Sequence, residues 1–487
     1  MLKYLTADSL RWAIRQTNEP VYEFLKDIGR IADKLNYPCY VVGGFVRDLI
    51  LESDNDDVDI VVVGKGQVIA REVQKYFQKH IINQDVKLSV FENFGTAQVS
   101  FGQFEFEFVG ARKESYDRGS RKPIVEEGTL KDDQLRRDFT INAMAIQIND
   151  AHFGELVDPF NGVEDLKNGV IKTPTDPNIT FSDDPLRMLR AVRFACKLGF
   201  AIDENTFSAL RFNQNRLNII SHERIATEFI KIMSSDYPAE GIEILKNTGL
   251  LEKFLPEVSE LDTTGRCGVG RDDKHKNIYW HTLDVLRNVA SQSKDPWLRI
   301  AALLHDIGKL QVRHYVVGEG YSFENHEFFG AKMVKPIFTR LKLPLDEKMR
   351  FVELMVRMHM RPQNVCNNEV TDAAVRRLVN DAEGHIDDLL ILAKSDITTK
   401  NMDKLATFQA RYADLKNKIK DIAAKDYVRM FQPCVSGGDI MTHYGLKPGR
   451  EVGVIKQMMK DAILDNVVEN TPEALYAYVN EHYYHNK

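Results

Sequence analysis

Val, Ile and Phe gather into short runs along one long stretch of the chain, and that stretch lies early. The segments 37–44, 57–64, 87–94, 95–101 and 104–111 are bounded by Gly or Asp and predict five strands. Apolar residues at three- and four-residue spacing over 67–80 predict a helix after the second strand. Strands alternating with helix point to a mixed sheet. Beyond about residue 160 the helical period takes over, in 185–199, 223–233, 240–249, 281–290, 297–308 and 349–360. A Gly- and charge-rich segment, 263–277, interrupts the helices and reads as a linker or mobile loop. From about 410 a Lys-rich helix precedes a helix, a Gly/Pro turn and a further helix over 437–464. The expected fold class is α+β, a mixed-sheet head followed by all-helical segments.

Length and composition narrow this picture. A chain of 487 residues carries about three domains' worth of sequence and can bury large cores without staples. The net charge of −6 is not that of a uniformly basic nucleic-acid binder. The five cysteines are scattered and never spaced C-x-x-C, which argues against a disulfide framework and fits a reducing compartment. The first residues show no apolar leader, and no apolar run approaches the ~20 residues of a membrane span. A cytoplasmic, membrane-free protein is expected.

Candidate chemistry begins at 41–62. Gly43-Gly44 ends a strand just before a helical stretch, so the backbone there can approach a phosphate closely. Arg47, one turn on, is placed to add a charge-assisted bond to a phosphate oxygen. Asp57 and Asp59 stand at i and i+2 on the next strand and project from one face. Two such carboxylates repel unless a proton or a cation lies between them, and Mg²⁺ with substrate phosphates is the economical partner. Asp54 and Asp56 add to the same acidic stretch.

This arrangement resembles the nucleotidyltransferase superfamily, specifically bacterial-type CCA-adding tRNA nucleotidyltransferases and their poly(A) polymerase relatives. The resemblance implies a third carboxylate five residues before Arg112, which is Glu107, with Glu105 on the same strand face. The basic stretch 111–123, opened by Arg112, reads either as a solvated loop or as a contact to triphosphate or RNA. Arg136, Arg137 and Asp138 match a family motif for ribose and phosphate contacts, and Asp158 and Gly162 match the hinge between head and neck.

Base choice maps to 182–194. Asp184 caps a helix opened by Pro185, and Arg187 lies one turn on. Arg donates in a planar fork and Asp only accepts, a combination that suits the pairing edges of cytosine and adenine. Uracil and guanine would leave buried groups unpaired, at ~1–3 kcal/mol each. The resembling family uses this pair to select CTP and ATP without a template. Arg190 and Arg193 extend a basic face, and Glu223 and Arg224 match the next family motif.

A separate pattern, His281, His305-Asp306 and Asp396, joins imidazoles and carboxylates suited to a divalent transition metal. It resembles the HD metal-dependent phosphohydrolases, which implies Lys309 near a substrate phosphate and His326 and His359 as further ligands. In the tail, Lys447 and Arg450 flank a Gly/Pro turn that resembles an RNA-contacting element. The expected organisation is a head (1–160), a base-reading neck (161–265), an HD module (275–405) and a helical tail (406–487). The expected partners are tRNA, CTP and ATP, and the expected reaction is CCA addition. The alternatives are CC-only, A-only or poly(A) addition, or an HD phosphohydrolase with a non-catalytic RNA-binding head.

Overall fold

The computed structural model describes residues 5–484 except 54, 56, 82–83, 93–94, 116–123, 263–276, 318–319, 368–370, 399–400, 431–432 and 465–466. Asp54, Asp56, most of the 263–277 linker and the middle of the 111–123 stretch therefore lie outside the described residues.

All five expected strands form: Cys39–Val42 (β1), Asp57–Val62 (β2), Lys87–Phe91 (β3), Thr96–Phe101 (β4) and Phe104–Gly110 (β5). The basic stretch, read as an irregular loop, begins instead as a strand. Arg112–Ser115 (β6) pairs antiparallel with Ile124–Glu127 (β7) as a separate ribbon. Ala145–Gln147 (β8) and Leu156–Val157 (β9) complete a seven-stranded sheet of order β3-β4-β5-β2-β1-β8-β9. Its pairs are antiparallel except β2–β5, which run parallel because helix Gly66–His80 crosses over after β2. That helix buries Ile69, Ala70, Val73 and Phe77 at helical spacing. Phe77 packs on Phe101, and Phe24 joins both, in an aromatic core under the sheet.

The helical expectations hold with shifted ends. The predicted 185–199 helix runs Leu186–Leu198 and stops at Gly199, whose φ of +69° suits glycine. The 281–290 helix starts earlier, at Ile278, because the Asn277 side chain accepts from the Tyr279 and Trp280 amides. The 297–308 helix runs only Pro296–Leu304, which leaves His305 and Asp306 in the turn beyond it.

The chain divides into two compact units, Met1–His359 and Met360–Lys487. The division falls inside the segment assigned to the HD module. Within the first unit, neck and HD helices are continuous. The Arg299 guanidinium, 1% exposed, donates to the carbonyls of Met233 and Ser235 at 2.7 Å, Ser293 at 2.9 Å and Ala290 at 3.2 Å. It thus ties the end of helix His222–Met233 to the end of helix Ile278–Ala290.

The second unit holds helices Arg361–Asn367, Asp372–Asp381, Ile386–Ser395 and Met402–Met430, then the tail. There, helix Gly437–Tyr444 ends at Gly445 (φ +65°), and helix Arg450–Leu464 follows the turn. Val435, Ile440, Ile455, Met459, Leu475 and Val479 form its core. Among the described residues, no helix is long and apolar enough to cross a membrane.

Candidate active site

The site grows from the β2–β5 register. Asp57 lies abreast of Glu105, and Asp59 abreast of Glu107. Val58 and Ile60 are buried on the opposite face, so all four carboxylates share one side of the sheet. The register also separates the two glutamates. Glu105 accepts a hydrogen bond from the Gln98 side chain, whereas Glu107 stands beside Asp59. Burial pushes the Asp59 carboxyl up to about 6; the Arg137 charge opposes this, and Glu107 and Asp57 add to it. Glu107 is also raised, first by burial and then by Asp57 and Glu105. Such a face suits a divalent cation, which would relieve the repulsion. Among the described residues, however, the three carboxylates do not close into a group of ligand atoms within 4.8 Å of one another.

Gly43 adopts φ +73° where β1 meets helix Gly44–Leu51. A Cβ there would stand 3.2 Å from Arg137 Nη1 and 3.6 Å from Asp59 Oδ2. The glycine turn, Arg137 and Asp59 therefore converge on one spot. Arg47 does not join them. It is 3% exposed and bonds Asp48 Oδ1 at 2.7 Å, Asp48 Oδ2 at 2.8 Å and Asn142 Oδ1 at 2.6 Å. The expected phosphate ligand is instead an internal strut, because a carboxylate at the next residue offers a bidentate partner inside the protein.

Arg136 and Arg137 are held by a residue the sequence reading missed. Asp133 is fully buried; Oδ1 accepts from Arg136, and Oδ2 accepts from Arg137 at 3.1 Å. Glu114 extends the chain, 2.8 Å from Arg112 Nε and 3.3 Å from Arg136 Nη1. The i,i+3 and i,i+4 spacing of Asp133 to the two arginines was a usable signal.

Asp138 faces away from this edge. Burial alone would raise its carboxyl, but the Arg190 charge and the Asn142 side-chain amide bring it down to about 2. Arg190 Nε donates to it at 2.7 Å, and Arg193 Nε lies 2.9 Å from Glu228 Oε2. Arg190 and Arg193 therefore do not form the free basic face expected of them. Their guanidiniums, with that of Arg47, surround the Phe194 ring at 4.4–5.4 Å.

Asp184 ends helix Pro177–Asp183 rather than capping the next helix in full, and its Oδ1 accepts from the Leu186 amide at 3.2 Å. Arg187 Nη2 donates to the Arg136 carbonyl at 2.6 Å, which fixes its side chain against the head. Among the described residues, Asp184 and Arg187 form no ion pair with each other.

The histidine cluster is the tightest group of candidate ligands in the first unit. Asp306 Oδ1 lies 3.3 Å from His326 Nε2 and 3.9 Å from His359 Nε2, and Oδ2 lies 3.4 Å from His305 Nε2 and 3.6 Å from His281 Nε2. The Nδ1 atoms of His305, His326 and His359 each face a carbonyl three residues back, at 2.7–2.9 Å. Those bonds keep a hydrogen on each Nδ1 and turn each Nε2 inward. His326 Nε2 and His359 Nε2 then stand 3.2 Å apart, a contact that a shared cation would stabilise. Burial would raise the Asp306 carboxyl, but His305 and Lys309 hold it well below the carboxylate range. Lys309 Nζ bonds Asp306 at 2.6 Å instead of standing apart for a phosphate. A Cβ on Gly308 would meet the His326 carbonyl at 2.0 Å, so only glycine lets this turn lie against helix His326–Leu341. Asp396 belongs to the second unit, just past helix Ile386–Ser395.

Three family models match the chain: the "Poly A polymerase head domain" over 39–172, the "Probable RNA and SrmB- binding site of polymerase A" over 199–261, and the "HD domain" over 278–398. The chain is 32% identical to the A-adding tRNA nucleotidyltransferase of Deinococcus radiodurans, over 72% of this chain and 79% of that one. It is 33% identical to the A-adding tRNA nucleotidyltransferase of Geobacter sulfurreducens over 55% of this chain, but spans only 30% of that protein's length. Its fold is similar to the Thermotoga maritima CCA-adding enzyme solved with tRNA, with a TM-score of 0.59 at 22% identity, covering 96% of this chain and 97% of that one.

Proposed function

The chain belongs to the family of CCA-adding and A-adding tRNA nucleotidyltransferases, and from that premise we propose that it adds C and A to tRNA 3′ ends without a template. The tRNA 3′-hydroxyl attacks the α-phosphate of CTP, twice, and then of ATP, and pyrophosphate leaves. The observation that carries this reading is the parallel β2–β5 register, which sets Asp57, Asp59 and Glu107 on one face beside the Gly43 turn. Those carboxylates would hold Mg²⁺, which when bound supplies positive charge to the reacting phosphate and its attacking hydroxyl.

The chain's own residues do the rest. Gly43 and Gly44 admit the triphosphate to the backbone, and Arg137, braced by Asp133, adds a donor at the same spot. Arg136 and Arg112 are braced through Glu114 for the same purpose. Asp184 and Arg187 offer an acceptor and a donor to the base, and the Arg136 carbonyl holds Arg187 in place. The Asp138–Arg190 bond keeps the neck helix seated on the head, and Arg193 joins that helix to helix His222–Met233 through Glu228. Lys447 and Arg450, both exposed at the tail turn, are assigned to tRNA backbone contact.

Extension of a tRNA lacking CCA, with CTP alone, ATP alone and both, tests the reading. Two C additions followed by one A support it. A alone, CC alone or an A run would select the narrower relatives. No extension would leave the HD reading with a non-catalytic head. Arg187→Ala is expected to cut discrimination against UTP and GTP by about 10–100-fold, since each lost base contact is worth ~1–3 kcal/mol. Single-nucleotide incorporation rates read this out.

The Asp306, His326 and His359 group favours a second activity, hydrolysis of a phosphoester at a divalent transition metal that these residues would hold with His281 and His305. Asp306→Ala is expected to lose bound metal and hydrolysis of bis-p-nitrophenyl phosphate while tRNA extension persists. Metal content by mass spectrometry and the two assays check it.

A further inference from the structure

The chain between Asp306 and helix His326–Leu341 exposes rings that the nucleotidyl-transfer site does not use. Strands His314–Val316 and Gly320–Ser322 pair as a ribbon in which Tyr315 and Tyr321 are register partners. Their rings meet edge to face at 5.3 Å, and Tyr315 is 63% exposed. The Arg313 guanidinium lies 4.1 Å over the Tyr321 ring. On the first turn of helix His326–Leu341, Phe328 and Phe329 are both exposed, and Lys332 Nζ stands 4.0 Å over Phe328.

Both groups of rings flank the stretch 323–326 that enters the histidine cluster. The Phe323 carbonyl, just beyond the ribbon, accepts from His326 Nδ1 at 2.9 Å, and Lys309 spans the gap between the Phe323 ring and Asp306. Exposed rings forgo the free energy that burial would give, and large exposed apolar groups set beside cations mark a binding face. Cations over rings match one class of occupant well: a strand whose flat bases stack on aromatic faces while its phosphates meet Arg and Lys.

We propose that Arg313, Tyr315, Tyr321, Phe328, Phe329 and Lys332 form a docking face for single-stranded RNA, which presents a phosphodiester to the Asp306–His326–His359 cluster. This deepens the HD reading given above and rests on it for the fate of the RNA, but binding is tested without turnover.

The test uses the full chain and a 12-nucleotide single-stranded RNA carrying 4-thiouridine. After irradiation, crosslinked peptides are mapped by mass spectrometry. Crosslinks are expected on peptides spanning 309–332 as well as on the head. Tyr315→Ala with Phe328→Ala and Phe329→Ala is expected to lower the 309–332 crosslink at least about tenfold, as loss of base stacking does, and to leave the head crosslink unchanged. Arg313→Glu with Lys332→Glu, which keeps the rings, is expected to lower the same crosslink and steepen its loss with salt. Crosslinks confined to head, neck or tail peptides would overturn the proposal. So would a triple variant that changes the oligomeric state in sedimentation, because a second copy would then be the occupant. An intact crosslink with no phosphodiesterase activity would sink the hydrolytic reading and leave the docking face standing.

Discussion

Asp59→Asn is expected to lose nucleotide addition by about 10³-fold and at the same time to raise the melting temperature of the metal-free protein. The two effects share one cause. Asp59 is raised from 3.8 to about 6 in the folded chain, first by burial, with Glu107 and Asp57 adding to it. A carboxyl raised on folding disfavours the folded state once it ionises. Below about pH 4 the group is protonated in both states and contributes nothing. Between about 4 and 6 the unfolded chain loses its proton first, and stability falls. Above about 6 the cost is complete, at about 3 kcal/mol for this shift. The neutral amide does not incur it. The gap between variant and parent should thus open through pH 4–6 and stay open at pH 7.5 in EDTA. Mg²⁺ should stabilise the parent and leave the variant nearly unchanged. Melting curves with and without EDTA, together with primer extension, provide the check. A variant less stable than the parent at pH 7.5 in EDTA would contradict the argument.

Arg299→Met is expected to destabilise the first unit by roughly 3–5 kcal/mol, although Arg299 touches no proposed substrate or metal. Its five N–H groups answer four carbonyls at the ends of two helices, where the helix dipoles also favour a cation. Burial pushes its guanidinium below the ordinary arginine value, the price of that position. A methionine fills part of the volume and leaves the carbonyls without donors. Lysine has three donors on a single atom and cannot reach four carbonyls in a plane, so Arg299→Lys should recover only part of the loss. Urea unfolding followed at Trp280 and Trp297 measures both variants. A loss under 1 kcal/mol for the methionine variant would show the carbonyls to be satisfied by water.

Much of the head was legible because its chemistry is local. The strands announce themselves as β-branched and aromatic runs, and Asp57 and Asp59 sit two apart on one of them. Glu107 came from the family resemblance, since Glu105 has the same periodicity; in the fold, Glu107 stands abreast of Asp59 while Glu105 accepts from Gln98. A sequence shows the Arg47 guanidinium but not its bidentate bonds to Asp48. The same holds for Arg190 and Arg193, whose carboxylates lie 52 and 35 residues away in sequence. The bond between neck and HD helices was invisible, because backbone carbonyls carry no sequence signature and Arg299 reads as one charge on an apolar helix.

The one parallel pair in the sheet bears on how the head folds. A hairpin brings antiparallel neighbours together locally, whereas pairing β2 with β5 closes a loop that contains helix Gly66–His80, β3 and β4. The strand that carries Asp57 and Asp59 is therefore expected to dock beside Glu105 and Glu107 late in folding. Late docking would keep the four carboxylates apart until the last step, and the finished fold then carries their repulsion.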